Sequence, residues 1–202
     1  MQFNHDNMTG AFLAADLVNL AHRHWSRSAL LDVLTTHEIR RREVTESGST
    51  SLRDWTGRLR RVFDSGEADT RCTAINDVLD AAVSRVYVTT HSELRPHLHF
   101  VSDELDVVAR VRAVTAGGLA MFLVEAGGER LGRCGRDGCG LVFVDTSRNG
   151  RRAYCSARCG NAVAVARHRG RVVPKAETES ERQTRANPGW PSSPVSDDCT
   201  RR

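Results

Sequence analysis

The chain has 202 residues, 40% of them hydrophobic and 27% charged, with a formal net charge of +4. That balance is ordinary for a globular chain and leaves room for one domain of about 125 residues plus a small module. No apolar run approaches the roughly 20 residues needed to span a bilayer, and the opening Met1-Gln-Phe-Asn-His-Asp-Asn7 lacks the basic and apolar regions of a signal peptide. No membrane association and a cytoplasmic setting are therefore expected.

In chain order, helical periodicity predicts a first helix over 11–24, with Leu13, Leu17 and Leu20 on one face. A second, over 26–39, opens on a Ser26 cap and carries Leu30, Leu31 and Leu34. Residues 43–51 are polar with a glycine and predict a loop. Helices over 52–63 and 68–89 follow, with Trp55, Leu59, Val62, Ile75, Leu79, Ala82, Val83 and Val86 as core candidates. Pro96 opposes a continuing helix, and the alternation of Leu98 and Phe100 with polar residues predicts an extended piece over 91–101. A long helix over 103–125 ends at Gly127-Gly128. Beyond Lys175 the apolar content falls, which predicts a disordered tail over 176–202.

Between the long helix and the tail lies Cys134-x4-Cys139-x15-Cys155-x3-Cys159. Two close pairs of thiols split by a hairpin-length spacer form a ligand set for one tetrahedral Zn²⁺. Four sulfurs close the coordination sphere, so the expected metal is structural rather than catalytic. Leu141-Val142-Phe143-Val144 predicts a strand, Arg152-Ala153-Tyr154 its partner, and Asn149-Gly150 the turn between them. Ser156 is placed to cap a helix that runs to about Arg169 and carries Cys159 in its first turn. Knuckle, hairpin and helix together make a treble-clef-like module. Cys72 and Cys199 have no close partner and are expected to be bystanders.

Charge is uneven along the chain. Residues 131–175 hold nine arginines and Lys175 against Asp137 and Asp145, a net +8, which leaves −4 for the remainder. Such a basic module on a mildly acidic body suits a nucleic-acid partner. Arg133, Arg136 and Arg158 flank ligands and could also offset thiolate charge, whereas Arg148, Arg151 and Arg152 lie at or beside the turn. Arg167, Arg169 and Arg171 fall at the far helix end, where cations also favour the helix dipole. On the helix, Cys159, Val163, Ala166 and Gly170 share one face, toward the metal; Arg158, Asn161, Val165, His168 and Arg169 share the other. Asp145, Ser147, Asn149, Gly160 and Asn161 read as structural positions of the motif.

The run Phe143-x-Asp145-x-Ser147-Arg148-Asn149-x-x-Arg152-x-Tyr154-Cys155-Ser156-x-x-Cys159-Gly160-Asn161 resembles the CGNR zinc finger. That module closes bacterial proteins with an amino-terminal ABATE domain, regarded as stress-induced transcriptional regulators. Leu13-Ala-Ala-Asp16-Leu-Val-Asn19-Leu and the run into Leu131-Gly-Arg-Cys134 resemble the opening and the exit of that domain. The resemblance implies a zinc-containing, DNA-binding transcriptional regulator. The chain departs from the family pattern at Ala162 and Ala164, where basic residues are usual.

Two polar features of the body stand apart from the module. His91, His97 and His99 could supply ligands to a second metal, since alternate residues on a strand share a face, although histidines without carboxylate partners are more often surface or packing groups. Asp16 and Asn19, one helical turn apart, could line a ligand pocket with Arg110 or Arg112; a buried ion pair or an exposed polar stripe is the more common outcome of such a pattern. No nucleophile elbow, phosphate loop or metalloprotease helix is present, so no enzyme is expected.

The expected fold is mainly α: a helical ABATE-like domain over 1–130 with a short extended segment, then a four-cysteine zinc finger over 131–175 and the tail. The expected metal is one structural Zn²⁺ on Cys134, Cys139, Cys155 and Cys159. The expected partner is DNA, met by Arg148, Arg151, Arg152, Arg158, Arg167 and Arg169, with a small-molecule or protein effector on the helical body. A homodimer reading paired half-sites is one outcome such a regulator allows. A zinc-stabilised protein-interaction module without DNA binding is the alternative.

Overall fold

The structure, a computed structural model, describes residues 5–39, 43–83, 85–90, 97–100 and 106–172. The elements in order are α1 (His5–Arg23), α2 (Arg27–Thr36), α3 (Glu46–Asp64), α4 (Ala68–Ala82), β1 (Tyr87–Thr89), β2 (His97–His99), α5 (Val107–Glu125), β3 (Leu131–Arg133), β4 (Val142–Val144) and α6 (Ala157–Val172). The expectation of a mainly α chain with a small zinc module holds. The predicted tail over 176–202 lies outside the described residues. The chain divides into two compact units, Met1–Val163 and Ala164–Arg202, with the division inside α6.

In the first unit α5 is the central helix, packed on α1, α3 and α4. It is apolar almost all round because neighbours cover it on several sides; Val111, Ala116, Leu119 and Phe122 are fully buried. By length and composition alone it could cross a membrane, contrary to the expectation that no stretch comes close. Burial of more than half of it accounts for that apolarity. The α1–α5 crossing is set by two glycines: a Cβ on Gly118 would stand 2.5 Å from Gly10 Cα. Only hydrogen side chains allow that backbone approach. One apolar cluster joins α1, α3, α4 and α5 to Leu131, Val142 and Val144 of the second sheet, and another joins Leu13 and Leu17 to α2, Leu52 and Val111.

Three boundaries differ from expectation for local reasons. First, α3 begins at Glu46, not at residue 52. The Thr45 hydroxyl accepts from the Gly48 N–H at 3.0 Å, and Gly48 is buried beside Val108, so this glycine belongs to a capped first turn rather than a loop. Second, α4 stops at Ala82, and the β-branched stretch after it forms β1, antiparallel to β2 with Tyr87 opposite His99. Val86, expected in the core, is 53% exposed there. Third, the partner of β4 is β3, not residues 152–154: Leu131 pairs with Val144 and Arg133 with Val142. At the predicted hairpin turn Gly150 has a positive φ of 61° while Asn149 does not, and the Gly150 N–H closes onto the Ser147 carbonyl at 3.2 Å. The two-residue turn that would have returned 152–154 along β4 is therefore not formed.

One buried cation ties the helical part together. Arg71 of α4, only 6% exposed, donates to the carbonyls of Val62 and Ser65 at the end of α3 and of Gly128 after α5. Desolvation pushes its pKa below the usual arginine value, an effect partly opposed by Glu129. In the second unit the described residues are the outer half of α6, where every side chain from Ala164 to Arg169 is exposed. Ala166, expected toward the metal, is among them.

Candidate metal centre

The site is built from two chain turns. The β3–β4 loop carries Cys134 and Cys139 as a knuckle, closed by the Cys134 N–H on the Leu141 carbonyl (2.8 Å) and the Cys139 N–H on the Arg136 carbonyl (3.1 Å). Gly138 and Gly140 take positive φ of 73° and 66°, the left-handed conformations that let the backbone fold round the sulfurs. Cys155 precedes α6 and Cys159 sits in its first turn. Ser156 caps that helix, its hydroxyl accepting from the Cys159 N–H at 3.3 Å.

The four sulfurs converge, all within 4.8 Å of one another. The Cys139–Cys155, Cys139–Cys159 and Cys155–Cys159 separations are 3.7, 3.8 and 3.6 Å. Sulfurs bound to tetrahedral Zn²⁺ at about 2.3 Å stand about 3.8 Å apart, so the donor set fits that ion in both type and spacing. Among the described residues this is the one cluster of three or more metal-ligating groups. The set holds one structural zinc, with no coordination position left for water. Arg136 donates to Cys159 Sγ at 3.7 Å and offsets part of the thiolate charge; that contact raises its own pKa. The hydrogen bond from Ser156 and then Arg136 bring the Cys159 thiol down to about 6, while burial and the neighbouring thiols push Cys155 up to about 12. Ionising all four together requires a cation at their centre.

Asp145 organises the segment between the pairs. It is 2% exposed and accepts from the N–H groups of Ser147 and Arg152, each at 2.8 Å. Burial alone would raise its pKa; the hydrogen bonds from Ser147 and Arg152, with the charge of Arg130, outweigh this and hold it below the usual carboxylate value. Arg152, expected to meet DNA, has another task here. Its side chain donates to the carbonyls of Tyr154 (2.9 Å), Val144 (3.4 Å) and Cys155, and its guanidinium lies 5.0 Å over the Phe143 ring. It thus shapes the approach to Cys155. Tyr154 packs on Gly160, where an added Cβ would meet the ring at 3.3 Å.

Arg148, Arg151, Arg158, Arg167 and Arg169 are all exposed. Asn149 and Asn161 are exposed too, and Asn161, expected as a structural position, makes no side-chain hydrogen bond among the described residues.

The module is latched to the helical part through its backbone. The Asn19 amide bonds both to the Val142 N–H (2.8 Å) and to the Val142 carbonyl (3.0 Å), capping the free edge of β4. Arg60 of α3 donates to the Gly140 carbonyl at 2.9 Å, and His22 Nε2 meets the Cys139 carbonyl at 3.0 Å. None of these three was assigned that work from the sequence; long-range pairing to backbone leaves no sequence signal.

The pocket expected around Asp16 and Asn19 has different company. Both line a cavity of about 630 Å³ against the zinc module, with Arg23, Arg136, Arg152 and Arg158. Asp16 is bonded to His37 at 2.8 Å. Neither Arg110 nor Arg112 lines this cavity; Arg112 donates to the Ser51 hydroxyl at 2.7 Å and lies over the Trp55 ring. Of the three histidines weighed as a second metal set, His91 lies outside the described residues and His99 faces the Tyr87 ring.

The fold and the donor set thus define a four-cysteine zinc module on a helical body. The family model described as the CGNR zinc finger matches residues 130–172, a span that contains all four cysteines, β3, β4 and α6. No curated protein matches the chain.

Proposed function

We propose that the protein is a zinc-dependent DNA-binding transcriptional regulator. In this reading the four-cysteine module faces DNA and the helical part is an ABATE-like, sensor-type body; the chain is a binding protein, not an enzyme. The observation that supports it most is the set of exposed arginines on the module segment. Arg148, Arg151 and Arg158 stand free of the metal's immediate needs, and Arg167 and Arg169 are exposed on the outer half of α6. Of the six arginines expected to meet DNA, Arg152 is spent inside the module, so five remain for phosphates. Zinc is a folding cofactor here: the segment is too small to hold a core of its own, and the metal supplies the missing stability.

A second reading is a protein-interaction module that meets an acidic partner. The exposed, uncharged Ala162 and Ala164 and the half-exposed Val165 of α6 favour it, since they present a small apolar step where the family places cations. Competition separates the two. Zinc-loaded full-length protein bound to a labelled duplex, followed by fluorescence anisotropy, should be displaced by unlabelled duplex, and Cys155→Ser should abolish binding. Absence of binding at low salt would refute the DNA reading and leave the protein partner.

A further inference from the structure

The cavity between α1 and the four-cysteine module is larger than a metal ion needs. Its volume of about 630 Å³ falls within the ~300–1,000 Å³ usual for small-molecule sites. One wall is apolar, with the half-buried Phe12, Leu20 and Val33. The polar lining holds Asn19, Ser156, three of the zinc-ligating cysteines and four arginines, against the single carboxylate of Asp16, already bonded to His37.

Those four arginines are not equivalent. Arg136 is held by Cys159 Sγ, and Arg152 by three backbone carbonyls. Arg136 thus offsets part of the formal double negative charge of a zinc held by four thiolates, and Arg152 is engaged by the backbone. Arg23 and Arg158 have neither hydrogen-bond nor ion-pair partners among the described residues. They come from opposite sides of the groove, the end of α1 and the first turn of α6. The first turn of a helix also presents backbone N–H groups that favour negative charge. The surplus charge at this site is therefore positive, next to an apolar wall.

We propose that this groove is a binding site for a small organic anion with an apolar body, its acidic head held by Arg23 and Arg158 and its body against Phe12, Leu20 and Val33. Such a ligand bridges the helical part and the zinc module, and because it uses Arg158 it competes with phosphate for that residue; the test is therefore made without DNA.

The test uses 8-anilinonaphthalene-1-sulfonate, an aromatic anion, and N-phenyl-1-naphthylamine, the same framework without the sulfonate. Each is titrated by fluorescence into zinc-loaded full-length protein and its variants. The sulfonate should bind with 1:1 stoichiometry, and R23Q/R158Q should weaken it at least about tenfold. The neutral compound should bind R23Q/R158Q as it binds the parent. R148Q/R151Q, whose exposed arginines lie outside the groove, should leave sulfonate binding unchanged. No sulfonate binding, equal binding to R23Q/R158Q, or an equal loss in R148Q/R151Q would overturn the proposal. Because both residues are exposed and unpartnered, the double variant keeps its fold; an unchanged zinc content and helical signal check this.

Discussion

Replacing Asn19 by alanine tests how the zinc module is fastened to its body. The amide makes two hydrogen bonds, at 2.8 and 3.0 Å, to the N–H and carbonyl of Val142, a residue 2% exposed. Each such bond contributes about 1 kcal/mol net, and a stranded buried group costs about 1–3 kcal/mol. Because Val142 also borders the cavity, water can reach the freed groups, which places the loss near the lower end, about 2 kcal/mol. In a chain of this size that corresponds to a fall of about 6 °C in melting temperature. Urea unfolding of the zinc-loaded protein, followed by tryptophan fluorescence and by zinc release to a chromogenic chelator, measures both ends of the contact. Asn19→Asp should not rescue, since its carboxylate opposes the Val142 carbonyl. A loss below about 0.5 kcal/mol in Asn19→Ala, with zinc release unchanged, would refute the latch.

Other contacts give equally direct outcomes. Arg71→Met should destabilise by at least about 2 kcal/mol, because three carbonyls lose a buried charged donor, and Arg71→Lys should not restore it, since an ammonium cannot reproduce the fork; chemical denaturation reads both. Gly118→Ala should cost about 1–3 kcal/mol, because the added methyl meets the backbone of Gly10 rather than a side chain that could move. For Asp145, the folded-state pKa lies below that of an unfolded carboxylate. Its contribution to stability is therefore full above about pH 3.9 and is lost as pH falls through the folded value. The difference in stability between the parent and Asp145→Ala, measured by denaturation across pH, should be largest near neutrality and shrink on acidification. A constant difference would contradict the assignment.

What the sequence revealed follows the range of the interactions. The zinc ligands were legible because both pairs are local and the Ser156 cap precedes its helix directly. Asp145 was legible as a structural position of the motif for the same reason. The helices of the body showed through their periodicity, and α5 through its length. The start of α3 was missed because Gly48 reads as a breaker until its burial against Val108 is known. The strand β1 was missed because its residues continue the apolar spacing of α4. The partner of β4 was missed because Asp145 and Arg152 use their hydrogen bonds to fold the following segment over the metal instead of along the strand. Asn19, His22 and Arg60 lie about 80–120 residues from the backbone they hold, and no local pattern announces such a pairing.

The salt dependence of duplex binding tests the proposed function most directly. Five exposed arginines meeting phosphates give a slope of log K against log salt of about −4.5, and R148Q/R151Q should reduce it to about −2.7, with zinc content unchanged. The same slope in parent and variant, or no binding at low salt by the zinc-loaded protein, would contradict a DNA-facing basic module.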